Sequence, residues 1–413
     1  MAAVSQKTYS YSARGADGKV VKGRIDAASE SMVVTKLRTI GVSPITIEEA
    51  NRGSGLNMEI SFSALGGKKS VGLKDLAVMS RQMSTMIGAG LTLIRTLGIL
   101  ADQTENKELA RVLGLVRSDV ESGSSLSDSI AKFPVIFPPL MIHLVRAGEI
   151  GGFLDTSLEN AATNFETDVK LRDTIKSALT YPVIVLVMAV VAVIGMLLFI
   201  VPVFEKMFHD LGGELPLPTQ FLVVLSKQMV WLVPLLLVGG TAFAVWWRAN
   251  KHTERVRSFL DPLKLKLPVF GMLFTKVAVA RFARNFATMI ASGVPILQAL
   301  SIVGETSGNY VVEQSLKRVQ EAVRQGKSVA GPLADEPIFP AMVVQMVAVG
   351  EDSGSMEVML DKIADFYEAE VEATTKALTS LIEPLMIAFI GVVVGGMIVA
   401  LYLPTFSIFN EIK

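Results

Sequence analysis

The tripeptide Gly326-Lys327-Ser328 resembles the end of a phosphate-binding loop and raises the question whether the chain hydrolyses ATP. Such a loop needs a second glycine five residues earlier, so that consecutive backbone N–H groups can wrap the phosphates. Glu321 occupies that position, and its carboxylate would repel a polyphosphate. The preceding apolar residues, Leu316, Val319 and Val323, have a helical spacing rather than that of a strand. We therefore predict a turn that ends an amphipathic helix.

Other residue types that perform chemistry are scarce. The 413 residues include no cysteine, which excludes disulfides, thiolate catalysis and Cys-ligated metals. The three histidines, His143, His209 and His252, are far apart in the sequence, so a histidine metal site or a catalytic triad has few residues to draw on. Lys plus Arg equals Asp plus Glu at 39 each, so net charge gives no argument for nucleic acid. We expect no catalytic, cofactor-binding or metal-binding residues and no nucleic-acid partner.

Three long uncharged segments contribute to a hydrophobic content of 51%. They cover residues 182–204, 228–247 and 384–404. At about 1.5 Å per residue, each can cross the roughly 30 Å hydrocarbon layer as a helix. A buried core helix is the alternative, but such helices rarely stay apolar for so long. We predict three transmembrane helices, and the absence of charge at membrane depth argues against a pump or ion carrier.

Basic residues beside these segments predict the orientation. Lys and Arg are frequent before the first span and after the second, whereas the loop between these spans carries one lysine. The positive-inside rule then places residues 1–175 and 250–380 in the cytoplasm and the C-terminus outside. The basic residues after the second span are Arg248, Lys251, Arg255 and Arg257. We interpret them chiefly as topology determinants, with contact to a cytoplasmic partner as the alternative.

The chain contains an internal repeat at an offset of about 203 residues. RQMSTMIGAGLTLIRTL, which begins at Arg81, matches RNFATMIASGVPILQAL, which begins at Arg284, and each has one apolar helical face. By this offset Gly326-Lys327-Ser328 aligns with Gly123-Ser124-Ser125. The first copy keeps the glycine and lacks the lysine, so the position serves helix termination rather than phosphate binding. Each copy is predicted to be a cytoplasmic helical bundle followed by one span.

Glycines, glutamates and prolines recur where each bundle meets its span. The matched residues are Gly148, Glu149, Gly152 and Pro182 in the first copy and Gly350, Glu351, Gly354 and Pro384 in the second. We interpret the glycines as helix-ending turns and the glutamates as caps that accept N–H groups at a helix start, with contact to a partner protein as the alternative. The prolines are expected to set a kink or a fresh helix start at the membrane.

The third span has two further features. Gly391 and Gly395 place two flat surfaces one turn apart, which predicts close packing against a helix of this chain or of another subunit. Glu383 stands at the cytoplasmic edge of the span, where the first copy has Tyr181. Because a desolvated carboxylate is costly, we expect Glu383 to point to interfacial water or to pair with Lys376.

The N-terminal residues form a different unit. KTYSYSARGADGKVVKGRI has the pattern of a hairpin with a turn at Gly15 to Gly18, and a helix and a last strand follow. We predict a small ββαβ docking domain at residues 1–50 and a flexible linker at 51–70. The remaining predicted segments are bundles at 71–181 and 272–383, a loop and membrane approach at 205–227, a cytoplasmic connector at 248–271, and an extracytoplasmic tail at 405–413.

Taken together, these motifs resemble the PilC/GspF family, the inner-membrane platform proteins of type IV pilus and type II secretion machines. The resemblance covers nearly the whole chain: the YSYSA opening, both helical repeats, the Gly-Glu turns, ALTYP before the first span, and EPLMIAFIGVVVGG with LYLP in the third. It implies a mainly α, polytopic inner-membrane protein with two repeated cytoplasmic bundles, three transmembrane helices and a small N-terminal α+β domain. It also implies that the protein is not an enzyme.

The resemblance implies a set of partners. A hexameric cytoplasmic assembly ATPase, and in some machines a retraction ATPase, would dock on the bundles and the basic residues after the second span. Pilin or pseudopilin subunits would pass through the membrane part, where Glu383 could hold the N-terminal amine of a pilin. Inner-membrane alignment proteins and further copies of the chain would complete the assembly.

Three alternatives remain open at this point. The motifs do not separate a pilus platform from a type II secretion platform. A transporter or channel would require oligomerisation, since three uncharged spans offer no pathway by themselves. An intramembrane protease would need Ser/His or paired Asp residues at membrane depth, and the spans have neither.

Overall fold

The computed structural model describes residues 7–14, 20–27, 29–39, 43–49, 71–210, 215–251 and 253–411. The chain divides into two compact units, Met1–Gly67 and Lys68–Lys413. The predicted hairpin turn at Gly15 to Gly18 and the predicted linker at 51–70 lie outside the described residues.

The smaller unit is an antiparallel sheet with one helix. Its elements are β1 (Lys7–Arg14), β2 (Val20–Ala27), α1 (Glu30–Thr39) and β3 (Ser43–Glu49). The strand order is β2-β1-β3, with β1 in the centre. Tyr9 and Ala27 of the sheet pack with Val33 and Leu37 of the helix. The order of elements is the predicted ββαβ.

The larger unit contains the same six helices twice. The first copy consists of α2 (Leu73–Gly88), α3 (Leu93–Gln103), α4 (Lys107–Glu121), α5 (Leu126–Ala131), α6 (Pro139–Gly151) and α7 (Leu154–Gly195). A π-helical turn (Met196–Ile200), α8 (Val201–Asp210), α9 (Leu217–Asn250) and α10 (Glu254–Lys266) follow. The second copy consists of α11 (Phe270–Ala291), α12 (Ile296–Thr306), α13 (Tyr310–Arg324), α14 (Ala330–Ala334), α15 (Ala341–Asp352) and α16 (Met356–Glu411). The predicted mainly α fold with two repeated bundles is confirmed.

Equivalent residues end the helices in both copies. Gly123 and Gly326 follow α4 and α13 with φ of 94° and 85°, a left-handed conformation that strains any residue with a Cβ. The N–H of Lys327 bonds to the carbonyl of Ala322, and Ser124 bonds to Asp119 in the same way. Gly326-Lys327-Ser328 is therefore a helix terminus, as predicted.

The two copies share one hydrophobic core. Its largest fully buried side chains include Phe137 in the first copy and Phe282 and Phe286 in the second. Within each copy, α2 lies along α7 and α11 lies along α16. The bundles are thus one body rather than two separate modules.

Three helices are long and apolar enough to cross a membrane. The first runs without a break from Leu154 to Asp210 through α7, the π-helical turn and α8; the second is α9, and the third is α16. A kink or a fresh helix start was predicted at Pro182 and Pro384. The fresh start is wrong, because both prolines lie inside continuous helices, and the kink stays a prediction. α16 also continues to Glu411, beyond the predicted start of the tail at 405. The first and third spans are therefore direct extensions of bundle helices.

Candidate functional site

An arginine clamps the long helix of each copy. Arg81 on α2 donates hydrogen bonds to Glu166 at 2.8 and 2.6 Å and to Glu159, all on α7. Arg284 on α11 is its equivalent and donates to α16. Its acceptors are Glu368 at 2.9 Å, Asp365 at 2.6 Å and Asp361. The sequence signal for this pair was present, since both arginines begin the matched segments, but their role was not predicted.

Charge pairing at these clamps is strong. The hydrogen bonds that Arg81 donates to Glu166 and then to Glu159 raise the pKa of Arg81. At Arg284, burial opposes the charge, but the hydrogen bonds to Glu368 and Asp365 and the charges of Glu368 and Asp361 still raise the pKa. Arg284 is therefore the better buried anchor, and it holds the part of α16 that precedes the third span.

Replacing Arg284 by Met should lower the free energy of unfolding by about 2 kcal/mol, because three carboxylates lose their common cation. The side chain of Arg284 is 16% exposed, whereas those of Asp361 and Asp365 are more than half exposed, which keeps the cost below that of a fully buried pair. Thermal unfolding of the full-length protein in detergent measures the change. Arg324→Met is the matched control, since its pair with Glu321 lies on the surface. Equal midpoints for both variants would contradict the clamp.

Glu149 and Glu351 cap helices, as predicted, but not the helices that follow them. Glu149 accepts the backbone N–H groups of Leu126 and Ser127 at the start of α5. Glu351 accepts those of Val329 at 2.9 Å and of Ala330 at 3.2 Å at the start of α14. Both carboxylates are thus used to hold a short helix against α6 or α15.

The glycines that directly precede Glu149 and Glu351 do not end a helix. Gly148 and Gly350 lie inside α6 and α15, and the turn residues are Gly152 and Gly354, with φ of 76° and 68°. A Cβ on Gly148 would lie 2.6 Å from the hydroxyl of Ser157, and one on Gly350 would lie 3.0 Å from the Cα of Met356. The prediction that these two glycines terminate helices is wrong: they let α6 and α15 approach the start of the next helix.

Polar side chains join the first copy to the second. Asn164 on α7 donates to Asn285 on α11 at 2.9 Å, and Asn160 donates to Ser292 at 3.2 Å. Asp168, one helical turn after Asn164, forms an ion pair with Arg281 at 2.7 Å. These residues recur every four positions along one face of α7, so the second bundle packs along that face. A cavity of about 370 Å³ lies beside this interface.

Prolines in the membrane helices leave carbonyl groups without their helical donors, and hydroxyl groups of neighbouring helices reach three such carbonyls. Pro182 leaves the carbonyl of Ala178, which lies 3.5 Å from the hydroxyl of Thr379. In the π-helical turn, Val201 bonds to Met196, and Pro202 has no N–H for Leu197. The donors and freed carbonyls are Thr379 with Ala178, Ser226 with Leu197, and Thr219 with Ala400, four residues before Pro404.

The last two bonds make α9 the link between the first and third spans. Thr219 and Ser226 are both buried, and they lie two turns apart on the same face of α9. Around them Leu222 and Val223 pack with Leu197, Val201 and Leu401. Beyond this contact, α9 is exposed from Val230 to Val245. The three spans therefore meet at the ends of the spans remote from the bundles.

Thr219→Val together with Ser226→Ala should weaken this contact, because two carbonyl groups in an apolar environment lose their donors. We expect a loss of about 1 to 3 kcal/mol for the pair. Thermal unfolding in detergent reports it. Thr241→Val is the control, since its hydroxyl bonds within α9 to Val238. Unfolding midpoints that do not distinguish the double variant from this control would argue against a linking role.

Glu383 is exposed on α16 and has no polar partner among the described residues. Its predicted pairing with Lys376 is wrong, because Lys376 donates to Glu372 at 2.7 Å, one turn earlier on the same helix. Tyr181, its equivalent in the first copy, is exposed too. The other expectation, that Glu383 points to interfacial water, stays a prediction.

The four basic residues after the second span have different surroundings. Arg257 forms an ion pair with Glu313 on α13 at 2.9 Å and so holds α10 against the second bundle. Arg248, Lys251 and Arg255 are exposed, and the described residues show no ion pair for them. A role in contacting a partner stays a prediction for these three.

Gly391 and Gly395 face open space within this chain, because a Cβ on either residue would meet nothing within 4 Å among the described residues. The predicted close packing is therefore not made within the described chain. Packing against another subunit stays a prediction.

Models of known protein families match both copies with their spans and the N-terminal residues. The family model for type II secretion system protein F matches residues 79–202 and 282–404, one match for each copy with its span. The model for the N-terminal domain of the same family matches residues 1–48.

Individual relatives align along nearly the full chain. A type IV pilus assembly protein PilC of Thermus thermophilus is 44% identical over 98% of this chain and 99% of its own. The PilC protein of Myxococcus xanthus is 41% identical over 98% of this chain and 95% of its own. A type II secretion system protein F of Aeromonas hydrophila is 32% identical over 93% and 98%.

Proposed function

Because the chain belongs to the type II secretion system protein F family, we propose that it is the inner-membrane platform of a type IV pilus machine. In this role it couples a cytoplasmic assembly ATPase to the insertion or extraction of pilin subunits. The higher identity to pilus assembly proteins, 41% and 44% against 32%, supports the pilus over the secretion system. It acts as a mechanical connection and catalyses no reaction.

The observation that carries the proposal is the continuity of the long helices. α7 and α16 are clamped inside the bundles by Arg81 and Arg284 and run on as the first and third spans. Because a helix interrupted by no loop transmits displacement and rotation, a force applied to the bundles reaches the membrane part directly. The shared core and the Asn164–Asn285 bond make both bundles move together.

The proposal places the bundles and the N-terminal domain in the cytoplasm, where the hexameric assembly ATPase and, in some machines, a retraction ATPase are found. Arg248, Lys251 and Arg255 are available to such a partner because they are exposed. Gly391 and Gly395 offer an open surface to a second copy of the chain, and inner-membrane alignment proteins complete the assembly.

Deletion of the gene with complementation tests the function. A pilus platform predicts loss of surface fibres with normal protein export, while the assembly ATPase should co-purify with the full-length protein. Loss of exported proteins with intact fibres would favour the alternative, a platform of a type II secretion system. Conductance of the purified, reconstituted protein would instead favour an oligomeric channel.

Topology can be tested separately with single cysteines, since the native chain has none. Glu121→Cys and Gln325→Cys lie at exposed helix ends of the two bundles. An impermeant maleimide should label neither in intact cells and both after lysis, because the flanking Lys and Arg keep both bundles inside. Labelling of either residue from outside would show that the orientation is wrong.

A further inference from the structure

A cavity of about 630 Å³ opens where the second membrane helix meets the bundles. Its lining includes Trp247 and Lys251 at the end of α9, Arg172 of α7 and Arg281 of α11. Indole side chains favour the headgroup layer of a membrane, so Trp247 places the opening at that level. The cavity is large enough for a phosphate and part of its substituents.

Cations outnumber carboxylates in this cavity. The cationic lining residues are Arg172, Lys251, Arg257, Lys264 and Arg281, and the acidic ones are Asp261 and Glu305. Asp261 is fully engaged, because it accepts from Lys264 at 2.8 Å and from the N–H of Tyr310 at 3.0 Å. Glu305 is exposed. The lining therefore presents an excess of positive charge to a bound anion, and Glu305 is the one carboxylate that opposes binding.

The ion pairs of these basic residues do not neutralise all five positive charges. A single carboxylate, Asp168, serves both Arg281 at 2.7 Å and Arg172 at 3.0 Å. Arg281 also has a buried Nε with no hydrogen-bond acceptor among the described residues. Burial lowers the pKa of Arg281, the charge of Asp168 opposes this change, and the charge of Arg172 adds to it. Lys251 has no ion-pair partner in the described part of the chain.

We propose that this cavity is a binding site for the phosphate of an anionic phospholipid headgroup. Lys251 and Arg172 supply charge and N–H donors, and the guanidinium of Arg281, whose side chain is 22% exposed, adds positive charge. A lipid held there would join the second membrane helix to the bundles, at a level where α9 has no buried contact with the other spans. Lys251, a basic residue of the connector, then binds lipid in addition to its expected role in topology.

Lipid binding to the full-length protein in mild detergent tests the site, with native mass spectrometry as the readout. Phosphatidylglycerol should bind more tightly than phosphatidylcholine. The double variant Arg172→Gln with Lys251→Gln should weaken phosphatidylglycerol binding by about tenfold, because two phosphate-facing cations are lost. Glu305→Gln should strengthen it, since the opposing carboxylate is removed. Arg172 and Lys251 are largely exposed, so their loss should leave the fold intact.

The matched control is Arg248→Gln with Arg255→Gln, which removes the same charge from exposed residues near Lys251 in the sequence that do not line the cavity. This variant should keep phosphatidylglycerol binding within about twofold of the wild type. Equal weakening in both double variants, or equal binding of the two lipids, would overturn the site. Competition by inorganic phosphate distinguishes a lipid site from a site for free phosphate. No competition at millimolar phosphate supports the lipid site. A protein that binds phosphate but not phosphatidylglycerol would refute the lipid site.

Discussion

Cells that carry Glu383→Gln should assemble at least about tenfold fewer surface fibres than wild-type cells at equal levels of inserted protein. The proposed role gives the reason: the carboxylate of Glu383 holds the positively charged N-terminal amine of a pilin while its apolar helix moves along the spans. A charge-assisted hydrogen bond contributes about 1.5 to 3 kcal/mol, which corresponds to tenfold or more in occupancy. The side chain is suited to this role because Lys376 is already paired with Glu372.

Fibre counts by electron microscopy, normalised to membrane-inserted protein, measure this effect. Glu357→Gln is the matched control, since Glu357 is an exposed acid on the same helix but lies in its first turn, far from the membrane. Tyr181→Phe should also be mild, because the first copy carries no charge at this position. Normal fibre numbers in the Glu383 variant would leave this residue with no role beyond contact with interfacial water.

Ser380→Pro should abolish fibre assembly while the protein still inserts and still retains the ATPase. Ser380 is exposed on α16 between the Arg284 clamp and the third span. A proline there removes the backbone bond to Lys376 and clashes with its carbonyl, at a cost of about 3 kcal/mol, so the helix bends or breaks. Displacement of the bundle would then no longer reach the span.

Co-purification of the ATPase and fibre counts in the same strain separate coupling from binding. Ser380→Ala is the control, since it removes the hydroxyl bond to Lys376 and keeps the helix. Fibres at wild-type numbers in the proline variant would show that the continuity of α16 is not needed. Loss of ATPase retention together with fibres would point to a folding defect instead of a coupling defect.

The sequence by itself determined the class of the protein and the main elements of its fold. Uncharged segments of 20 residues or more must lie in an apolar phase, so the three spans follow from composition alone. The repeat at an offset of about 203 residues required two similar bundles, and the left-handed turns at Gly123 and Gly326 required glycine in both copies. The sequence alone also argued against a phosphate-binding loop, because Glu321 occupies the position where such a loop needs glycine.

The tertiary structure decided what local patterns do not specify. The positions of Glu149 and Glu351 in the sequence indicate that they can accept N–H groups at a helix start. Only the packing of α6 and α15 shows which helix start they reach. Proline lowers helix propensity, so a kink or a fresh start at Pro182 was the local expectation, yet the helix continues through this residue. The clamps by Arg81 and Arg284 and the bonds of Thr219 and Ser226 join residues far apart in the chain. Contacts of this kind depend on the relative positions of whole helices, and those positions are fixed by the common core rather than by neighbouring residues.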